Sequence, residues 1–314
     1  MRDLAQAAEG MGFHRVWLFD SPPLWEDTWI HLAQIAEATK RIQLGTAVLV
    51  PNLRHVMTTA SAIATVDRLA PGRLVCALGT GTTARLAMGK KPLTWKTTRT
   101  YVEQLKGLLR GDAVTIDGEQ CQMMHWPELA TARPIEVPIL LSAFGPKGTA
   151  IAKEIADGYM GVMPPREPFD VVVQMINGTI LDPGEPTFSD RVLEATGMWE
   201  AMVHHGLYAG QGEAVDNLPG GADWRSAVEA EVPEGQRHLA TWRGHATHMT
   251  DRDRDALRAM NEASMYPQMV WIGEAEEVRT RAQASEAAGV TDLMYTPGGP
   301  DIKLEMRRFA EAVL

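Results

Sequence analysis

The chain contains little cysteine and little positive charge. Among its 314 residues there are only two cysteines, and 30 lysines and arginines face 40 aspartates and glutamates, which gives a formal net charge of -10. Cys76 and Cys121 lie in different segments without a CxxC spacing, so the sequence predicts neither a disulfide framework nor a zinc site. The basic residues are scattered rather than clustered, which argues against a nucleic-acid partner.

Long apolar runs are missing as well. No stretch approaches the roughly 18 to 20 apolar residues that a bilayer-spanning helix needs. The opening MRDLAQAAEGMGF is amphipathic and does not resemble a signal peptide. We therefore predict a protein without a membrane partner, located in the cytoplasm, where scarce cysteines stay reduced. A composition of 45% hydrophobic and 22% charged residues predicts a globular core.

The sequence does contain a regular alternation of helical patterns and short apolar runs. Helices are predicted at 3-12, 28-39, 56-69, 146-156 and 275-288, and strands at 16-19, 42-49, 74-78, 138-142, 159-163 and 292-295. Gly12 and the pair Pro71-Gly72 punctuate the first helices as C-terminal caps and turns do. Alternation of this kind predicts parallel strands joined by crossover helices.

The predicted fold class is α/β, a TIM-type (β/α)8 barrel in a single domain over 1-314. Six strands are clear and a seventh is predicted near 191-197, whereas such a barrel has eight. Because the chain opens with a helix, we expect its first barrel strand to be missing from this sequence. The region 164-270 is rich in Pro, Gly, Trp and His and is predicted to be an insertion in a barrel loop. A doubly wound open sheet is the alternative.

A resemblance to a known family rests on the stretch RIQLGTAVLVPNLRHVMTTASAIATVDRLAPGRLVCALGTGT at 41-82. It resembles the luciferase-like superfamily in its order of a strand, an Asn-x-Arg-His loop, a helix reading A-x-A-T-x-D-x-L, a Gly-Arg turn and a glycine-rich strand end. Supporting segments lie at 12-21, 152-162 and 272-300. Within that superfamily the chain is most similar to coenzyme F420 (deazaflavin)-dependent oxidoreductases of the methylenetetrahydromethanopterin reductase type, with FMN-dependent monooxygenases as near relatives.

Asp20 is the first candidate site residue. It follows the strand at 16-19, and carboxyl ends of barrel strands carry the chemistry of such enzymes. The resemblance implies catalytic and cofactor-binding roles for Asp20 and a catalytic role for Trp25, but the His that follows this Asp in the resembling enzymes is Ser21 here. Ser21 cannot exchange a proton near neutral pH as a histidine does, although its hydroxyl can bind substrate. The structural alternative is that Asp20 caps the next turn and Trp25 only packs.

Three further segments are candidate cofactor contacts. The resemblance implies a bulge at Thr46, Ala47 and Val48 with a cis peptide at Ala47-Val48, pressed against the tricyclic ring. Gly79, Thr80, Gly81 and Thr82 follow a strand, and their amides and hydroxyls suit a phosphate. Ala143, Phe144 and Gly145 lead into a helix N-terminus, which favours an anion. Some of the resembling deazaflavin dehydrogenases have a proton-transferring Glu where this chain has Thr82. The resemblance therefore implies that this chain lacks the Glu as well as the His.

The loop after the third strand contains candidate substrate contacts. Asn52, Arg54 and His55 could face the site and bind an anionic or carbonyl group. An ion pair between Arg54 and Asp67 is the structural alternative. The histidine pair at 245 and 248 has HxxH spacing, but no carboxylate or thiol partner has a convincing spacing, so we predict no metal site.

The sequence therefore predicts an oxidoreductase that transfers a hydride between F420 and a small organic substrate, with the cofactor supplying the chemistry. The Asp20-to-Trp25 spacing favours the deazaflavin, and FMN with monooxygenase chemistry is the alternative. A second alternative is a non-catalytic homologue that binds a flavin or another small molecule, since the His and the Glu are absent. The relatives imply a homodimer.

Overall fold

The computed structural model describes residues 1-260 and 264-314. Its strands are β1 (Arg15–Leu18), β2 (Gln43–Leu49), β3 (Leu74–Leu78), β4 (Val114–Ile116), β5 (Glu119–Cys121), β6 (Ile139–Ser142), β7 (Gly158–Gly161), β8 (Val172–Ile180), β9 (Val270–Gly273) and β10 (Asp292–Thr296). Its α-helices are α1 (Arg2–Met11), α2 (Thr28–Ala38), α3 (Val56–Leu69), α4 (Thr82–Ala87), α5 (Trp95–Arg110), α6 (Pro146–Ile155), α7 (Asp190–Gln211), α8 (Gly221–Glu231), α9 (Arg237–Thr241), α10 (Asp251–Arg258), α11 (Ala275–Ala287) and α12 (Ile302–Val313).

The chain divides into two compact units. The first comprises 1-82, 92-161 and 165-173, and the second comprises 83-91, 162-164 and 174-314. Within the first unit, β1, β2, β3, β6 and β7 pair in that order, and every pairing is parallel. A short antiparallel hairpin of β4 and β5 follows α5. The alternation of parallel strands and helices predicted from the sequence is thus confirmed.

The core of the first unit lies between its sheet and helices α2, α3 and α5. Leu44, Cys76 and Leu78 from the strands and Ile63 and Leu105 from the helices have no exposed surface. Burial of this kind stabilises the unit by about 25 cal/mol for each Å² of apolar surface removed from water. The strand ends are thereby fixed against a rigid layer of helices, which sets the positions of the loops that follow them.

In the second unit, β8 pairs in parallel with β9 from Asn177 to Ile180. The Asn177 side-chain amide donates to the Thr296 carbonyl at 2.6 Å, and the Tyr295 hydroxyl donates to the Gly178 carbonyl at 3.0 Å, so side chains join β8 to β10. Helices α7, α8 and α10 pack around a separate apolar cluster that includes Trp224 and Val228. No helix among residues 1-260 and 264-314 is long and apolar enough to span a bilayer.

One predicted strand is wrong. Residues 191-197 lie in the 22-residue helix α7, which begins after Ser189, whose side chain accepts a hydrogen bond from the Val192 amide. The buried positions 192, 195, 196 and 199 follow the i, i+3, i+4, i+7 spacing of one helix face. A strand was missed at β8, within the region predicted to be a loop insertion. The remainder of 164-260 is largely helical, and its role as an insertion in one domain stays a prediction.

Candidate active site

The candidate site lies in the first unit, where the carboxyl ends of β1, β2, β3 and β6 reach the same edge of a parallel sheet. Parallel strands run in one direction, so the loops that follow them meet at one edge, and ligands of α/β proteins bind there. Every candidate site residue of the sequence analysis follows one of these four strands or lies at the end of one. The site is built below from each strand end in turn.

Asp20 follows β1 and is only 3% exposed. Its carboxylate accepts a hydrogen bond from Arg54, whose other terminal nitrogen lies 2.6 Å from the Asp27 carboxylate. Burial raises the pKa of Asp20, and the bond from Arg54 opposes that rise. Because Arg54 is held between two carboxylates, the cluster carries a net negative charge when both acids are ionised. The ion pair proposed between Arg54 and Asp67 is wrong, since Arg54 pairs with Asp20 and Asp27.

The loop between Asp20 and α2 is shaped by backbone hydrogen bonds. The Ser21 carbonyl accepts from the amides of Leu24 and Trp25 at 2.8 and 2.9 Å. The Trp25 ring lies against Phe19, with ring centroids 5.6 Å apart. Asp27, and not Asp20, caps α2 by accepting from the first-turn amides. The capping alternative for Asp20 is therefore wrong, and its buried carboxylate is paired with Arg54.

The end of β2 is irregular. The Ala47-Val48 peptide bond is cis, as the resemblance implied, and the register with β3 shifts between Thr46 and Leu49. The Thr46 hydroxyl is fully buried and both donates to the Ala77 carbonyl and accepts from the Ala77 amide at 3.1 Å. The Thr46 side chain thus joins β2 to β3, and only its backbone is left to face a ligand.

The glycine loop after β3 lies directly against this bulge. A Cβ added at Gly79 would lie 3.0 Å from the Val48 side chain and 3.6 Å from Ser142 Cβ. Gly81 has φ of +78°, and a Cβ there would meet Val50 at 2.3 Å. The structure therefore brings the bulge at 46-48, the loop at 79-82 and the end of β6 together. The Val48 and Val50 side chains lie so close to the backbone of Gly79 and Gly81 that they explain both glycines without any ligand. A Gly81→Val variant would therefore disturb the fold as well as a binding site.

After β6 the chain passes through Ala143, Phe144 and Gly145 into α6. Ala143 is buried, Phe144 is 67% exposed, and Gly145 is the N-cap of α6 with Pro146 in the first turn. Gly145 has no side chain to accept from the first-turn amides, and a Cβ built there would meet nothing within 4 Å. The N-cap position of α6 is therefore open, which suits a phosphate group.

The predicted substrate contacts are brought together only in part. Arg54 is bound to Asp20 and Asp27, and its carbonyl accepts from the Tyr101 hydroxyl at 3.3 Å. His55 caps α3 through Nδ1, which accepts from the Met57 amide, and its ring is half exposed. Asn52 has φ of +73° in the turn after β2. Sequence reasoning missed Tyr101, which also bonds to Thr59 at 2.6 Å and whose pKa burial raises to about 12.

These features define an α/β protein with a glycine loop, a helix N-terminus and a buried, ion-paired carboxylate at one edge of a parallel sheet. The luciferase-like monooxygenase family model matches residues 1–292. The chain belongs to this luciferase-like monooxygenase family.

Relatives with established names are found by sequence and by structure. A 5,10-methylenetetrahydromethanopterin reductase of Methanolobus tindarius is 34% identical over 176 residues, covering 55% of this chain and 52% of that protein. The chain thus spans about half the length of several of the curated relatives it matches. The enzyme of the same name from Archaeoglobus fulgidus is 30% identical over 326 residues, covering 98% of this chain and 92% of that protein.

Among solved structures, the coenzyme F420 dependent tetrahydromethanopterin reductase from Methanopyrus kandleri has a TM-score of 0.66 at 20% identity, over 99% of this chain and 93% of that one. A type II Baeyer-Villiger monooxygenase from Pseudomonas putida, solved in complex with FMN, has a TM-score of 0.57 at 11% identity, over 99% and 92%. At these identities the likeness shows a shared fold, and it confirms the predicted α/β class with a parallel sheet and helices. Closure of that sheet into an eight-stranded barrel stays a prediction.

Proposed function

We propose that this chain is an oxidoreductase that binds coenzyme F420 at the carboxyl edge of its parallel sheet and exchanges a hydride with a small organic substrate. The observation that carries the proposal is the convergence of the bulge at 46-48 with the loop at 79-82, beside the uncapped N-terminus of α6. An F420-dependent glucose-6-phosphate dehydrogenase is 34% identical over 176 residues of this chain, and the solved reductase from Methanopyrus kandleri is named as dependent on coenzyme F420. These names support the choice of cofactor.

The residues present fit such a group. The backbone at 46-48 would lie against the cofactor ring. The amides of 79-82 and of the first turn of α6 would hold the phosphate, and the exposed Phe144 side chain would cover one side of that phosphate. The cofactor would supply the hydride chemistry when bound. Asp20, held by Arg54, would fix charge near the ring and orient a polar group of the substrate.

FMN is the second candidate because an FMN complex is among the structural neighbours. Titration of the purified chain with F420 and with FMN, followed by fluorescence quenching, separates the two. We expect saturable quenching with F420 at a lower concentration than with FMN. Tighter binding of FMN would replace the proposal with flavin chemistry, and binding of neither would overturn it.

A second experiment, which measures turnover, distinguishes an enzyme from a non-catalytic homologue that only binds the cofactor. The F420-saturated chain, mixed with a panel of small alcohols and aldehydes, is expected to bleach or restore the deazaflavin absorbance with at least one of them. Tight binding without any change in absorbance would favour a carrier or sensor of the cofactor. Gel filtration of the same sample tests the proposed homodimer, and elution as a monomer would contradict it.

A further inference from the structure

The first unit contains a cavity that the candidate active site does not use. Its volume is about 310 Å³, at the lower end of the range of ligand pockets, and it opens to solvent. Helix α3 and the loop after β5 form it, with lining residues Ala64, Thr65, Arg68, His125, Trp126, Leu129, Ala130 and Thr131. All of them belong to the first unit. Since a helix rises about 1.5 Å per residue, the α3 residues of the cavity lie roughly 13 to 20 Å along the axis from His55, so this cavity is separate from the candidate site.

The loop that forms the cavity is fixed at both ends. Met123 is buried in the core of the unit. The Thr131 hydroxyl donates to the Ala64 carbonyl at 3.1 Å, which joins the loop to α3. Between these points the Leu129 amide donates to the Trp126 carbonyl at 3.0 Å and closes a turn. The cavity is therefore formed before any ligand arrives, as small-molecule sites usually are.

This loop exposes large apolar side chains although it is fixed. Trp126 is 60% exposed and Leu129 is 65% exposed, and both line the cavity. Tryptophan is on average a highly buried residue, and neighbouring exposed apolar side chains mark interaction sites. The indole of Trp126 offers a flat face on which an aromatic ring can stack. An apolar, planar ligand body would therefore fit this part of the cavity.

The two threonine hydroxyls of the cavity have no proton left for a ligand. A hydroxyl has a single proton to donate. That of Thr65 bonds to the Ser61 carbonyl at 2.9 Å, and that of Thr131 bonds to the Ala64 carbonyl. Any hydrogen-bond donor offered to a ligand must therefore come from the other polar side chains of the lining.

These remaining donors are Arg68, His125 and Trp126. Within 1-260 and 264-314, no hydrogen bond or ion pair joins the Arg68 guanidinium, the His125 ring or the Trp126 indole nitrogen to another group. In the same ranges no acidic residue lines the cavity, and the acidic sequence neighbours Asp67 and Glu128 are not part of the lining. In a chain of net charge -10, this cavity thus combines an unpaired cation with unused N–H donors. Such a set favours an anion.

We propose that this cavity binds a small aromatic carboxylate, with its ring on the Trp126 indole and its carboxylate on the Arg68 guanidinium. The planar fork of N–H groups on arginine matches the two oxygens of a carboxylate, and the His125 ring supplies a further N–H. The apolar residues Leu129 and Ala130 cover the edge of the ring. This second ligand site does not depend on the proposed function.

Trp126 provides a local signal for this site. In 15N-labelled protein with its nine tryptophans, the Trp126 indole N–H is the NMR signal that is lost in Trp126→Phe. Titration with 2-naphthoate should shift that signal saturably. The Trp224 indole N–H, which is buried and bonded to Asp253 at 2.7 Å, should not move. The uncharged 2-naphthamide, which has the same rings, should bind at least about tenfold more weakly.

Arg68→Gln tests the contact with the carboxylate. Because Arg68 is exposed and unpaired among the described residues, its replacement should leave the melting temperature unchanged. It should weaken binding of 2-naphthoate at least about tenfold and leave binding of 2-naphthamide within about twofold. Arg307→Gln removes the same charge from an exposed position of α12 and is the matched control, which should bind 2-naphthoate as the parent does.

Several results would overturn the proposal. These are a Trp126 signal that does not move, equal affinities for 2-naphthoate and 2-naphthamide, and equal affinities of the parent and Arg68→Gln for 2-naphthoate. A Trp126 signal that shifts on dilution of the protein alone would also overturn it, because a second copy of the chain would then cover the cavity. No measurement of this series uses F420, so its result is independent of whether the proposed function holds.

Discussion

At the scale of single residues, the pair of Asp20 and Arg54 is the most consequential feature of the site. Asp20 is buried, and its bond to Arg54 offsets the cost of holding a carboxylate away from water. Such a pair adds little net stability, but removal of one partner leaves the other charge buried and unpaired. Its value here is that it fixes a charge at the end of β1.

This gives a first prediction. Arg54→Met is expected to lower the free energy of unfolding by about 3 kcal/mol, because Asp20 is left buried without its partner. The double variant Asp20→Asn/Arg54→Met should recover at least half of that loss, since neither charge remains. Urea unfolding measures both values. The single variant Asp20→Asn completes the comparison, and a loss in the double variant equal to the sum of the two single losses would show that the two side chains are not coupled.

A second prediction concerns Gly145, where the structure leaves room for a side chain. Gly145→Val should fold with an unchanged melting temperature, because its φ is -151° and nothing lies within 4 Å of the added Cβ. If the first turn of α6 holds the phosphate, the isopropyl group should weaken F420 binding at least about tenfold. Gly10→Ala, also in open space, is the control and should bind normally. Normal F420 binding by Gly145→Val would remove α6 from the site.

At the scale of elements, the junction of β2 and β3 depends on the Thr46 hydroxyl. This group supplies both bonds to Ala77 where the register of the two strands shifts. Thr46→Val keeps the shape and leaves the Ala77 amide and carbonyl without these partners, so a loss of about 2 kcal/mol is expected. Thr65→Val, on the exposed side of α3, is the matched control and should change stability little. A loss no larger in Thr46→Val than in the control would contradict this role.

Buried histidines join α7 to α10, and this predicts a dependence on pH. His205 Nε2 lies 3.1 Å from Asp253 Oδ1 of α10, and His205 Nδ1 lies 2.9 Å from His245 Nδ1. Burial lowers the pKa of His204, and it lowers that of His245 well below the ordinary 6.5. A depressed pKa means that the unfolded chain binds protons first, so this part of the stability is present above about pH 6.5 and is lost as the pH falls below it. His245→Gln should therefore flatten the decline in unfolding free energy between pH 7 and 5. An equally steep decline in the variant would contradict the assignment.

The alternation of the first helices and strands was predictable from the sequence, but α4, α5, the β4–β5 hairpin and most elements of the second half were not predicted. Runs such as 42-49 and 74-78 are bounded by turn residues and follow helices of clear period, so β2 and β3 were found nearly to the residue. Residues 191-197 were interpreted as a strand because so short a segment does not show the helical period. That period appears only over the full 22 residues of α7. β8 was missed because its strand is buried almost throughout and lacks alternation.

At the scale of the whole molecule, residues near one another in sequence were assigned well, and distant pairings were not. The resemblance implied the cis bond at Ala47-Val48, and the structure has it. The partner of Arg54 lies 34 residues away, and the groups joined to His205 lie 40 and 48 residues away. Single-sequence patterns carry no information about such contacts, since only the packed helices and strands bring those side chains together.

The central claim is that the edge formed by 46-48, 79-82 and the start of α6 binds a deazaflavin. The most direct test is to titrate the purified chain with F420 and with FMN in parallel and to follow the fluorescence of each cofactor. The account predicts saturable binding of F420 that is tighter than that of FMN and is weakened at least about tenfold in Gly145→Val. Tighter binding of FMN, or binding of neither cofactor by the folded chain, would contradict it.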